Sequence, residues 1–256
     1  MHFDGAIFDM DGVITHTASV HFHAWKETFD AFLASDRADA FTRADYLAHV
    51  DGRPRYMGVE AFLQSRNLHL PFGAPNDPAG AATICGLGNR KNVLFNEIVE
   101  ENGVVVFDST LALIGELRRG GIKVAVATSS KNGERILKKA GLTDLFDGHV
   151  DGADAEARGL KGKPEPDLFR AASDAIGVAP RRTLVVEDAQ AGVEAGVRGG
   201  FGLVLGVARE NNEAALHRAG ADIVVTDLAE ISLAQIDRLF HERDMKRART
   251  CGTVRA

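Results

Sequence analysis

Three times in this 256-residue chain a short apolar run stops at a cluster of acids or hydroxyls. Ala6–Phe8 runs into Asp-Met-Asp-Gly, Ile122–Ala127 into Thr-Ser-Ser, and Thr183–Glu187 into Asp188. A helical stretch from Ala189 to Gly199 then leads to a further run, Gly202–Gly206. Near-continuous apolar runs separated by helices indicate strands of a parallel sheet that is covered on both faces. In such a sheet ligands bind beyond the carboxyl ends of the strands. Every polar cluster occupies that edge, so residues far apart in sequence are expected to converge there.

Between Thr15 and about Gly103 the pattern changes. Val20, Ala24, Phe29 and Leu33 recur at helical spacing and no convincing strand is visible. The expected fold class is therefore α/β: a doubly wound parallel-sheet core, residues 1–15 and 104–240, with an inserted α-helical cap, residues 16–103. Pro71, Gly73, Pro75, Pro78 and Gly80 mark a loop inside the insert. The tail, 241–256, carries the basic stretch from Arg243 to Arg255 and is expected to fray.

Composition narrows the function classes. A hydrophobic content of 45% and a charged content of 26% are those of an ordinary globular protein, and no apolar run approaches the roughly 20 residues that span a bilayer. A formal charge of −6 argues against nucleic acid as a partner. Cys85 and Cys251 are too few for a disulfide framework or a zinc site and fit a reducing compartment. The opening Met1–Gly5 stretch has no basic segment leading into an apolar core, so the cytoplasm is the expected location. A monomer without membrane or nucleic-acid partners is expected.

Asp9 and Asp11 are the most informative pair. At i and i+2 on a strand end they can point the same way, one carboxylate for attack and the other for proton transfer. The same Asp-x-Asp-Gly is equally a turn sequence. An anionic nucleophile that attacks phosphate needs a cation, and magnesium suits the hard oxygens of Asp9, Asp11, Glu187 and Asp188. A calcium-binding loop starting at Asp9 fails because it would place Val13 and Val20 at ligand positions. No Gly-x-x-x-x-Gly-Lys-Ser/Thr phosphate loop is present. Thr128, Ser129 and Ser130, just before a helix that begins near Asn132, can cap that helix or bind phosphate. Lys163, in a loop, could offset the charge gathered at the strand ends.

Together, Asp9–Thr15, Ala127–Gly133, Lys163–Asp167 and Glu187–Gly192 resemble the four ordered motifs of the haloacid dehalogenase superfamily. The resemblance implies Asp9 as nucleophile, Asp11 as general acid/base, Thr128 and Lys163 as phosphate-stabilising groups, and Glu187 with Asp188 as metal-binding acids. The helical insert resembles that of the β-phosphoglucomutase family within the superfamily. That likeness implies a phosphorylated sugar as substrate and Thr17, His21, Trp25, Arg55, Lys91, Ser129, Ser130 and Asn132 as its contacts. His16, Gly58 and Asp108-Ser109 depart from the pattern. A sugar-phosphate phosphatase is the alternative with the same chemistry, water replacing the sugar hydroxyl. A phosphorylated receiver module is disfavoured, because it needs neither Asp11 nor an insert.

Overall fold

The computed structural model describes residues 1–34 and 39–252, with side chains as far as 246. β1 (Gly5–Phe8) is followed by helices only: α1 (Thr17–Leu33), α2 (Arg43–Asp45) running into a π-helical turn over Tyr46–Val50, α3 (Arg55–Ser65) and α4 (Ile84–Asn102). Helices and strands then alternate: α5 (Asp108–Arg119), β2 (Lys123–Ala127), α6 (Gly133–Ala140), β3 (Gly148–Val150), α7 (Gly152–Ala157) and α8 (Asp167–Ala175). The chain ends with β4 (Thr183–Glu187), α9 (Gln190–Gly199), β5 (Leu203–Val207), α10 (Glu213–Ala219), β6 (Ile223–Val225) and α11 (Leu233–Gly252).

The strands form one parallel sheet in the order β3-β2-β1-β4-β5-β6. Ala6 and Phe8 pack with Val126, Val186 and Leu205 on one face, while Ile7 packs with Ala125 and Val185 on the other. That alternation buries both faces. β1 lies between β2 and β4, with Phe8 in register with Val126 and Val186. The strand order turns around at β1, and a crevice opens at the carboxyl end of such a switch point. Asp9, Thr128 and Asp188 are the first residues past these three adjacent strands.

The cap has a core of its own. Trp25, Phe29 and Leu33 lie on one side of α1 and are buried with Phe41, Tyr46, Phe62 and Leu87, apart from the two clusters against the sheet. The linkers into and out of the cap run side by side: the His16 N–H donates to Val105 O (2.9 Å) and the Phe107 N–H to Ile14 O (2.9 Å). The expected α/β core with an inserted helical cap is the observed fold.

Two elements differ from the sequence reading. The edge strands β3 and β6 are only three residues each and gave no readable apolar run. The stretch expected to fray is helical as far as Gly252, because Ile236 and Phe240 are buried against the core and Arg243 pairs with Asp222. Residues 253–256 lie outside the described residues. No described helix is long and apolar enough to cross a membrane.

Candidate active site

A cleft opens between the strand ends and the cap. Asp9, Asp11, Thr128, Ser129, Ser130, Asn132 and Asp188 line it from the core, and His21, Trp25, Arg55 and Lys91 from the cap. Residues from six separate stretches of sequence thus meet in one space. Thr17, Lys163 and Glu187 stand behind this lining.

Lys163 is wholly buried and bridges two acids, with Nζ 2.5 Å from Asp9 Oδ1 and 2.5 Å from Glu187 Oε1. Glu187, also fully buried, accepts a second hydrogen bond through Oε2 from the Ala189 N–H (2.8 Å). Both its oxygens are therefore engaged. Burial would lower the Lys163 ammonium, but the Asp9 and Glu187 charges hold it above its ordinary value. Burial raises the Asp9 carboxyl well above the usual range, with the Glu187 and Asp11 charges adding to it and Lys163 opposing. Asp188 is raised likewise, by burial and then by Asp51, Glu187 and Asp9.

Asp11 behaves in the opposite way. Its carboxylate turns toward α1, where it accepts from Thr17 Oγ1 and from His21 Nε2 (3.1 Å), and it accepts from Thr128 Oγ1 at 3.2 Å. Burial alone would raise it, but the His21 and Thr17 contacts hold it well below the ordinary carboxylate range. His21 in turn accepts at Nδ1 from Lys91 Nζ, so the neutral ring carries its proton on Nε2. Burial, then Lys91, keeps that ring's pKa low. The Lys91 ammonium lies 5.0 Å from the Trp25 ring centroid and 4.8 Å from that of Phe95.

At the end of the cleft where α3 of the cap meets the loop before α6, Arg55 Nη2 donates to Asn92 Oδ1 (2.6 Å), and Asn132 Nδ2 donates to the same oxygen (3.0 Å). Ser129 Oγ donates to Gly52 O (2.9 Å), a second link from core to cap. Lys131 also lines this end.

The sequence profile of the haloacid dehalogenase-like hydrolases matches residues 3–200. The chain belongs to this family. It is 42% identical over 236 residues, 88% of its own length and 90% of the relative's, to a β-phosphoglucomutase of Mycobacterium tuberculosis. A phosphorylated carbohydrates phosphatase of Thermotoga maritima is 27% identical over 87% of this chain and 94% of that one. The crystal structure of a β-phosphoglucomutase from Clostridium difficile superposes with a TM-score of 0.76 at 22% identity, covering 95% of this chain and 99% of that one, a likeness of fold.

The haloacid dehalogenase-like family generally uses magnesium, and part of the acidic set fits that ion. Asp9, Glu187 and Asp188 surround one ammonium, Lys163, so three buried carboxylates face one positive charge. A divalent cation would balance the remainder. Gly12 (φ 87°) leaves room beside Asp188, because a Cβ there would overlap the Asp188 carboxylate. The four expected carboxylates are not equally engaged with protein partners. Glu187 bonds Lys163 and a backbone N–H through both oxygens, and Asp11 bonds Thr17, His21 and Thr128. Among the described residues the Asp9 carboxylate is tied only to Lys163, so the Asp9 and Asp188 side chains are the readiest of the four to take the ion. Among the described residues, His149, Asp151 and Asp154 are the three potential ligands that lie close enough together to share an ion, but these acids are spent on the capping box of α7.

Sequence reasoning missed several cleft residues, Gly52 and Ala189 among them. Tyr46, Val50, Asp51 and Arg53 lie on the π-helical turn and the loop after it, where no periodicity points toward a site. Asp51 is notable, its carboxyl pushed up to about 7 by burial and the nearby Glu187 charge, against a hydrogen bond from Tyr46.

Proposed function

We propose that this chain is a phosphoryl-transfer enzyme acting through Asp9, and that it interconverts β-glucose 1-phosphate and glucose 6-phosphate. The observation that carries the reading is a second set of polar groups in the cleft that Asp9 lines. Arg55 from the cap and Ser130, Lys131 and Asn132 from the core offer a place for a phosphate that is not reacting. A substrate with a single phosphate leaves that end unused. A sugar bisphosphate intermediate fills both.

In this mechanism an Asp9 oxygen attacks phosphorus, forming an aspartyl phosphate as the phosphorus–sugar oxygen bond breaks. In the reverse half-reaction a sugar hydroxyl attacks phospho-Asp9 and gives its proton to Asp11. The bisphosphate then turns end for end, and Asp11 returns the proton to the leaving oxygen when Asp9 takes the other phosphoryl group. Asp11 is ionised, as the base half of this cycle requires, and His21 and Lys91 hold its position from the cap. Lys163 fixes Asp9 and supplies positive charge next to the transferring oxygens. Thr128, whose N–H donates to Val150 O at 3.1 Å, is fixed by the sheet and adds a hydroxyl. Asp9 and Asp188 would hold magnesium, whose charge would offset that of the incoming phosphate.

A sugar-phosphate phosphatase is the second reading, favoured by the likeness to the Thermotoga enzyme. The two differ in whether a sugar hydroxyl or water reaches phospho-Asp9. Purified protein with magnesium, β-glucose 1-phosphate and a catalytic amount of glucose 1,6-bisphosphate should yield glucose 6-phosphate in large excess over free phosphate. Equal or greater release of free phosphate would replace the mutase reading with the phosphatase one.

A further inference from the structure

Lys91 and Asn92 are neighbours on α4, yet they bond different partners around the cleft. Lys91 reaches His21, on the side of Asp11. Asn92 reaches Arg55, at the N-terminus of α3 in the cap, and Asn132, in the core just before α6. One amide oxygen therefore accepts from two side chains that belong to different parts of the molecule, at 2.6 and 3.0 Å. Arg55 can only donate, which fixes the orientation of the Asn92 amide, and Asn132 must then present its NH2 group to the same oxygen. Asn92 is absent from the cleft wall that Arg55 and Asn132 help to form.

We infer that Asn92 is a positioning residue for the distal phosphate: it holds Arg55 and Asn132 side by side, facing the cleft, before any anion arrives. The inference rests on the mutase reading, in which a sugar bisphosphate presents one phosphate to this pair. Ordering a long side chain such as arginine costs rotamer freedom, and a contact that orders it beforehand removes part of that cost from binding. The chemistry of the contact matters as much as its position. A neutral carbonyl occupies only one of the five guanidinium donors and leaves the positive charge unpaired for phosphate. A carboxylate in the same place would form a charge-assisted pair with Arg55, roughly twice as strong as a neutral hydrogen bond, and would repel the incoming anion.

This argument separates positioning from mere bridging. Asn92→Asp keeps the shape and strengthens the tie to Arg55, whereas Asn92→Ala removes the tie. Binding of glucose 1,6-bisphosphate is measured calorimetrically with magnesium present, each variant being placed in an Asp9→Asn background so that nothing turns over. Melting temperatures and the KM for an aryl phosphate are taken alongside, the latter in chains with Asp9 intact. Asn92→Asp should weaken bisphosphate binding by roughly tenfold or more, and Asn92→Ala by a smaller factor of about threefold. The ratio of bisphosphate to aryl-phosphate affinity should fall in the same order, with the melting temperature of Asn92→Asp at or above that of the parent. Bisphosphate binding by Asn92→Asp as tight as the parent's overturns the inference. So does a loss in both variants that follows their melting temperatures, which would make Asn92 a structural bridge only. Failure of the parent itself to bind the bisphosphate is a different result: it removes the mutase reading and the inference with it.

Discussion

Lys163 stands between two buried carboxylates with no exposure to solvent, and its charge is the reason they can be buried together. Burying an ion is costly, and removing one partner of a buried pair leaves the other uncompensated. Lys163→Met should therefore lower unfolding free energy by about 3–5 kcal/mol as well as abolish turnover, a result readable from urea denaturation. A loss below about 1 kcal/mol would mean that Asp9 and Glu187 find another cation or stay protonated at little cost. Exposed pairs offer the contrast: Arg198 and Glu165, 3.0 Å apart at the surface, are well solvated and separable.

At the scale of elements, the cap is a separately packed unit hung on two paired linkers. Phe62 of α3 is fully buried, with ring centroids 4.3 Å from Phe29 and 4.8 Å from Phe41. Phe62→Ala should cost about 3–5 kcal/mol through the cavity it leaves. The loss should be confined to the cap, since none of the Phe62 ring partners belongs to the clusters against the sheet. Hydrogen exchange is the appropriate measurement: amides of α1, α3 and α4 should exchange faster while those of β1, β2 and β4 stay protected. Equal loss of protection in both would show that cap and core unfold as one unit.

For the whole molecule, the gathering of acids at the strand ends links metal, protons and stability. Asp9 and Asp188 have folded pKa values above their unfolded ones. Such groups contribute stability that is fully present below the unfolded carboxyl pKa and is lost as pH rises through the folded one. A cation bound between them favours the ionised form, so binding must release protons at low pH and needs none released at high pH. Magnesium should therefore raise the melting temperature more at pH 8 than at pH 5, each compared with the metal-free protein at the same pH. Comparing within one pH cancels groups of opposite sign, such as His21, whose folded pKa is lowered. A magnesium effect that is flat across this range, or larger at pH 5, would mean that these carboxylates do not hold the ion.

Much of this molecule is legible in one dimension. β1, β2, β4 and β5 are short apolar runs with polar stops, and the hydrophobic effect acting on such runs dictates a sheet buried on both faces whatever else the chain does. The helical spacing of Val20, Ala24, Phe29 and Leu33 likewise announces a cap helix, and the polar stops name Asp9, Thr128 and Asp188 as neighbours. Sequence pattern could not assign partners to side chains, because pairing across the cleft depends on where the cap rests. Only the tertiary structure spends Glu187 on Lys163, turns Asp11 toward Thr17 and His21, brings Asp51 into the cleft from an irregular turn, and sets the Asn92 amide between Arg55 and Asn132. Local periodicity fixes which face of an element is buried, but a hydrogen bond is decided at the scale of an ångström, and that distance is set by the packing of the whole fold.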